Sequence, residues 1–254
     1  MVQTVSIKPV ESTSITVKQE IKQGRFFGAL IASIIFSLWI SSLLLCLSID
    51  LSKMPIFGVA FALLWQTFLY TGLFITAHDA MHGVVFPKNA KVNHLIGSIA
   101  AFCYAFFSYK QLLNNHRLHH RYPGSELDPD FHDFKHENFF AWYFLFIKRY
   151  WNLGQWLGLL IAFNFMSHVL NLPEINLILF WTIPPILSSL QLFYFGTFLT
   201  HRKPKEGYNN SHHTQSTSLP VFLSFITCYY FGYHEEHHEH PHVPWWRLPA
   251  LRNR

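Results

Sequence analysis

The chain has 254 residues, of which 50% are hydrophobic and only 13% charged. A soluble domain carries about 25% charged residues, so composition points away from a soluble globule and towards a membrane protein. The formal net charge of +5 comes from basic residues scattered between apolar segments, which argues for no nucleic-acid partner, and Cys46, Cys103 and Cys228 stand alone with no CxxC, which argues against a thiolate zinc site or a disulfide frame.

In chain order, residues 1–25 read as a polar N-terminal tail rich in Ser, Thr and Lys, and 26–254 as one membrane domain. The first apolar run is too long for a signal-peptide core and has no small-residue cleavage site behind it. Residues 26–49 and 56–77 carry no charge, and each is long enough to cross a bilayer. A tight turn, Asp50 to Pro55, joins them. Residues 92–109 are apolar but interrupted by His94 and Gly97, a marginal span or a shallow helix. Residues 139–151 are dense in aromatics and end near Lys148 and Arg149, the composition of an interfacial segment. Spans three and four are predicted at 153–170 and 175–200, the last with Pro184-Pro185 inside it and a kink expected there. Residues 219–232 are apolar but too short to cross.

With four spans, 18 of the 19 Lys and Arg residues fall on one side and only Lys53 on the other. By the positive-inside rule that side is cytoplasmic, with both termini. Sixteen of the 17 histidines fall on or at the same face, His168 being the exception. A fifth span at 92–109 would separate the histidine groups, so four spans are preferred.

Three histidine boxes share that face: His78-x3-His82, His116-x2-His119-His120 and His234-x2-His237-His238, joined by His201 at the end of the fourth span. On a helix, positions i, i+3 and i+4 share a side. Nine imidazoles are too many for one tetrahedral ion and suit two. Adjacent histidines in an HxxHH box diverge around the helix, so one pair can serve two neighbouring ions. All-imidazole ligation admits Fe, Cu, Zn or Ni. Ligating imidazoles donate their second N–H to a carboxylate or carbonyl, and Asp79, Asp128, Asp130, Glu235, Glu236 and Glu239 are available. Adjacency ranks Asp79 and Glu236 first. His132 and His136, flanked by charge, read as a solvated loop face, His212-His213 as loop, and His94 and His168 as membrane-edge residues. His240 and His242 lie where the helix has ended, and Trp245-Trp246-Arg247 reads as an interface anchor.

Together the boxes resemble those of the membrane fatty-acid desaturase/hydroxylase superfamily. Within it, His78-Asp79-Ala80-Met81-His82-Gly83, His116-Arg117-Leu118-His119-His120-Arg121-Tyr122-Pro123 and the run from His234 to Pro249 resemble bacterial-type β-carotene 4-ketolases. The resemblance covers nearly everything after residue 25. It implies an all-α integral membrane protein with four transmembrane helices under a cytoplasmic histidine-rich di-iron cap. It implies two iron ions (Fe2+), O2 as co-substrate and a ferredoxin-type electron donor. The substrate would be β-carotene or a related carotenoid in the lipid membrane. The implied reaction is oxidation of the allylic ring C4 to a ketone by two successive hydroxylations and dehydration. The implied metal ligands are His78, His82, His116, His119, His120, His201, His234, His237 and His238, with Asp79 supporting them. Related desaturases also use a histidine between the second and third boxes, in support of His201, but the Asn that acyl-CoA desaturases place one turn earlier is Thr197 here.

Other functions compete. His234-Glu235-Glu236-His237-His238 satisfies the zinc-protease pattern HExxH, which leaves the first two boxes unused. A metal transporter would place ionisable groups inside the spans, where only His168 lies. Carotenoid hydroxylases and fatty-acid or sterol oxidases share the same boxes, because the boxes carry metal and not substrate.

Overall fold

The structure, a computed structural model, describes residues 26–252; the expected tail, 1–25, lies outside them. Helix α1 (Phe27–Ser48) has no charged side chain, and its buried positions Gly28, Ala32, Ile35, Trp39, Leu43 and Cys46 recur at three- and four-residue intervals. The opposite face is apolar too, with Leu30, Ile34, Leu38 and Leu44 exposed. A helix apolar on both faces, one of them unpacked, suits lipid and not water.

Asp50 accepts from Ser52 N at 3.1 Å in the turn that follows, and Pro55 starts α2 (Ile56–Met81). The lower half of α2 exposes Ile56, Phe57, Phe61 and Leu64, whereas its upper half is enclosed, with Leu73, Ile75 and Ala77 wholly buried. It packs on α1, on α3 (Ala90–Ala105) and on α7 (Glu174–His201), and is the central helix. The helix runs four residues beyond the expected end at 77, so His78 sits on the helix proper and His82 at its C-cap. Gly83 then turns the chain at φ +76, a left-handed conformation suited to glycine.

The expected marginal segment 92–109 resolves into the 16-residue α3, which stops at Phe106, and α4 (Tyr109–Arg121), bent 102° from it. Asn93, buried at the start of α3, donates to Ala80 O at 2.7 Å and accepts from Phe86 N at 3.1 Å, tying α3 to the end of α2. Asparagine side chains also cap α5 (Phe139–Tyr150) and α6 (Leu153–Val169) through Asn138 and Asn152. Helix α7 widens into π turns at Ile178–Thr182 and Tyr194–Phe198. The first lies just ahead of Pro184-Pro185 and absorbs their missing N–H donors. Three helices, α1, α2 and α7, are long and apolar enough to cross a membrane, and α6 is shorter. No strand occurs among the described residues.

Two contacts fix which helix ends meet. Asn176, near the start of α7, donates to Cys46 O at 3.0 Å and Ile49 O at 2.8 Å at the end of α1. Thr71 of α2 meets Ser188 of α7 at 2.9 Å and donates to Gln191 at 3.1 Å. These bonds satisfy polar side chains between helices. Helices α2 and α7 therefore run in the same direction, and their C-terminal ends emerge on one face. The short helices α8 (Val221–Cys228), α9 (His234–Glu239) and α10 (Leu248–Arg252) complete the chain.

Candidate metal centre

Four helices deliver imidazoles to that face. Helix α2 brings His78 and His82, α4 brings His116, His119 and His120, α7 ends on His201, and α9 brings His234, His237 and His238. They form two groups, His78–His82–His116–His237 and His119–His201–His234–His238, in each of which the candidate ligand atoms all lie within 4.8 Å of one another. Helical geometry divides the boxes as their spacing predicts. His116 and His120 lie one turn apart while His119 points to the second group, and His234 and His238 share a face while His237 points to the first. His120 lies between the groups, its Nε2 3.0 Å from His237 Nε2 and its ring stacked on His238 at 4.1 Å.

Several nitrogens have no role in the protein's own hydrogen bonding. His78 Nε2 and His201 Nε2 are buried with no hydrogen-bond partner, which is rare for buried polar atoms. Others face nitrogen: His82 Nε2 and His116 Nε2 are 2.6 Å apart, and His238 Nε2 is 3.1 Å from His119 Nε2 and 3.2 Å from His234 Nε2. Ligand nitrogens around a first-row ion with bonds near 2.0–2.1 Å lie about 2.9–3.4 Å apart. The 3.1 and 3.2 Å separations fall in that range and the 2.6 Å one is closer, and two groups of four imidazoles offer a donor set for two metal ions. Burial first, then neighbouring imidazoles, hold the pKa of His234, His237 and His238 well below the usual histidine range, keeping them in the neutral form that binds metal.

Outer hydrogen bonds orient this set. His119 Nδ1 donates to Asp128 Oδ1 at 2.9 Å and turns Nε2 inward. Asp128 also accepts from Gly124 N and Asp130 N, both at 2.9 Å. His201 Nδ1 donates to His213 O at 3.1 Å, so the loop read only as loop supplies an orienting carbonyl. Asp79, ranked first from sequence, lies 3.4 Å from His78 Nδ1 and accepts from Trp245 N at 3.1 Å. Glu236, ranked beside it, instead accepts from Ser216 Oγ. Glu235, which a zinc protease would need as its base, accepts from Asn210 Nδ2 at 3.0 Å, and Glu239 is exposed.

Other expectations fare unevenly. His136 pairs with Asp133 at 2.8 Å in an exposed loop, as expected, but His132 is buried against Trp142. The difference is aromatic packing, which local charge pattern does not reveal. His94 meets the Tyr109 hydroxyl at 3.1 Å, His168 is exposed, and His240 and His242 follow the end of α9. Trp245 packs against Phe225 and Tyr229, and its N–H donates to Asp79, which clamps this segment to the end of α2. Sequence reasoning also missed Phe231, whose ring lies 4.9 Å from that of His78 and 5.3 Å from that of His234.

A cleft reaches both groups, lined by His78, His116, His119 and His234 together with Phe74, Tyr104 and Leu112. It shares Tyr104, Phe107, Ile147 and Ser189 with a larger apolar groove between α3, α5, α6 and α7.

The fatty acid desaturase family model matches residues 54–167 and 147–254. The beta-carotene ketolase of Paracoccus sp. (strain PC1) is 40% identical over 219 residues, 85% of each chain. That of Paracoccus sp. (strain N81106 / MBIC 01143) is 36% identical over 252 residues, 98% of each. The zeaxanthin 4-ketolase of Chlamydomonas reinhardtii is 37% identical over 222 residues, 86% of this chain and 49% of that protein. Two adjoining histidine groups at the ends of apolar helices, a family match over most of the sequence and ketolase relatives along nearly its whole length place this chain in the fatty acid desaturase family, alongside the beta-carotene ketolases.

Proposed function

We propose that the chain converts the allylic ring C4 of β-carotene or a related carotenoid to a ketone. The observation that carries this reading is the cleft, which brings members of both histidine groups into a lining that shares four residues with a larger apolar groove. The nine histidines would hold two irons, which when bound supply the redox chemistry that activates O2. Each hydroxylation consumes one O2, two electrons and two protons and releases one water. A ring CH2 thus becomes CHOH, then C(OH)2, which loses water to give C=O. Electrons come from a ferredoxin-type donor, for which the basic face offers steering.

The chain's own contribution is placement. Asp128 and the His213 carbonyl fix the tautomers of His119 and His201. Phe231 fills the space between His78 and His234 and excludes water there. The ring would lie in the cleft, and the polyene in the groove lined by Phe163, Trp156 and Trp181. In the same reading, residues 26–254 form one membrane domain with four spans. The fourth is supplied by α6, and both termini and the histidine cap are cytoplasmic.

Expression in cells that accumulate β-carotene tests this reading, with pigments separated and the purified protein analysed for metal. Echinenone- and canthaxanthin-type products and two irons per chain are expected. No 4-keto pigment, or a single zinc in place of iron, would refute it.

A further inference from the structure

Ketolation, as proposed above, needs two oxidations at one carbon. The starting ring is a hydrocarbon and forms no hydrogen bonds, whereas the product of the first oxidation carries a hydroxyl. A site that completes the reaction gains from an acceptor that recognises this alcohol and not the hydrocarbon.

Apart from its histidines the wall of the cleft is mostly apolar, and Tyr104 and Ser189 are already engaged. Tyr104 donates to Pro185 O at 3.0 Å. Ser189 donates to Ile186 O at 2.8 Å and meets the Tyr143 hydroxyl at 2.6 Å. Thr197 contributes a neutral hydroxyl group. Asp130 differs. Its Oδ1 accepts from Tyr150, itself in the cleft wall, but its Oδ2 lies 3.9 Å from His119 Nδ1, beyond hydrogen-bond reach, because that proton goes to Asp128. No hydrogen-bond donor among the described residues meets Oδ2. The residue is also held firmly. Its N–H donates to Asp128 Oδ1 at 2.9 Å and its carbonyl accepts from Trp142 Nε1 at 2.8 Å. Arg149 braces the carbonyls of Pro129, at 2.9 Å, and Phe131 on either side. A carboxylate with an unused acceptor in an apolar wall carries a desolvation cost that a ligand hydroxyl relieves.

We infer that Asp130, braced by Tyr150, accepts a hydrogen bond from the 4-hydroxyl of the half-oxidised ring and holds the alcohol beside the histidines for the second oxidation. The inference rests on the ketolase reading. A hydrogen bond to a charged acceptor favours retention of the alcohol by about tenfold or more.

The test is product partition. Asp130→Asn, Tyr150→Phe and Thr197→Val are expressed as full chains in cells that make β-carotene. The ratio of 4-hydroxy to 4-keto pigment is then read, with iron per chain as the control for an intact centre. In Asp130→Asn the ratio is expected to rise about tenfold while iron per chain stays near wild type. Tyr150→Phe shifts it less, and Thr197→Val not at all. A fall in total oxidation at unchanged ratio assigns Asp130 a structural role and overturns the inference, as does a shift seen only in Thr197→Val. Should Asp130→Asn lose iron, Tyr150→Phe decides, and an unchanged ratio there is equally fatal. Wild-type cells with no oxidised ring would refute the ketolase reading and this inference with it.

Discussion

Asp128→Asn should weaken the metal centre more than any other single carboxylate substitution. The wild-type carboxylate accepts three N–H bonds, from His119 Nδ1 and Asp130 N on Oδ1 and from Gly124 N on Oδ2, each 2.9 Å long. An amide of the same shape has one acceptor oxygen, so either the first two donors or the third must face its NH2 group. The bond to His119 also loses its charge. Charged hydrogen bonds contribute about 1.5–3 kcal/mol and neutral ones about 0.5–1.5 kcal/mol, so the orientation of His119 weakens by about 1–2 kcal/mol. Loss of a partner that orients a metal-ligating histidine lowers metal affinity or activity about 10–100-fold, and tenfold corresponds to about 1.4 kcal/mol, so the two routes agree. Asp79→Asn disturbs a looser 3.4 Å contact with His78 and should cost less than about tenfold. Glu236→Gln touches Ser216 rather than a histidine and should leave iron in place. The assay is iron retained by the purified protein against a graded chelator, alongside ketone formed in cells. Wild-type retention in Asp128→Asn, with loss in Asp79→Asn, would refute the reasoning.

Two other substitutions separate packing near the centre from packing far from it. In Gly196→Ala the new Cβ would stand 2.1 Å from the Phe231 ring, which leans on His78 and His234. Overpacking of this kind costs about 1–3 kcal/mol, so both thermal stability in detergent and iron content should fall. Asn176→Ala removes the bonds to Cys46 O and Ile49 O at the opposite end of the helices. The cost is about 1–3 kcal/mol, read as a lower midpoint of unfolding in detergent, with iron per chain unchanged.

The sequence made the long apolar helices and the three boxes legible because both are local patterns. A charge-free run announces α1, and i, i+3, i+4 spacing announces α4 and α9 as helices that present clustered histidines. The division of each HxxHH box between two groups follows from helical angle alone. What sequence order could not rank was the support around the ligands. Asp79 adjoins His78 in the chain, but its carboxylate is shared with Trp245 N. Asp128 is eight positions beyond His120, and the turn closed by Gly124 N and Asp130 N aims it at His119. The carbonyl of His213 and the ring of Phe231 act through tertiary placement, and nothing local marks them. The bend between α3 and α4 was equally hidden, because an apolar run reads the same whether it continues or turns at Phe106.

The reach of Trp245 back to Asp79, 166 positions earlier, has a consequence for biogenesis. Before α9 emerges from the ribosome, the first group has only His78, His82 and His116, and the second only His119 and His201. Neither is a complete set of four until translation has passed His238, and the clamp over α2 closes only after Trp245 has followed. Metal binding to such a site is coupled to its folding. The long apolar helices are therefore made first, and the histidine cluster is completed last by a helix of six residues. On the di-iron reading proposed above, iron would be delivered only after the last histidine box has been made.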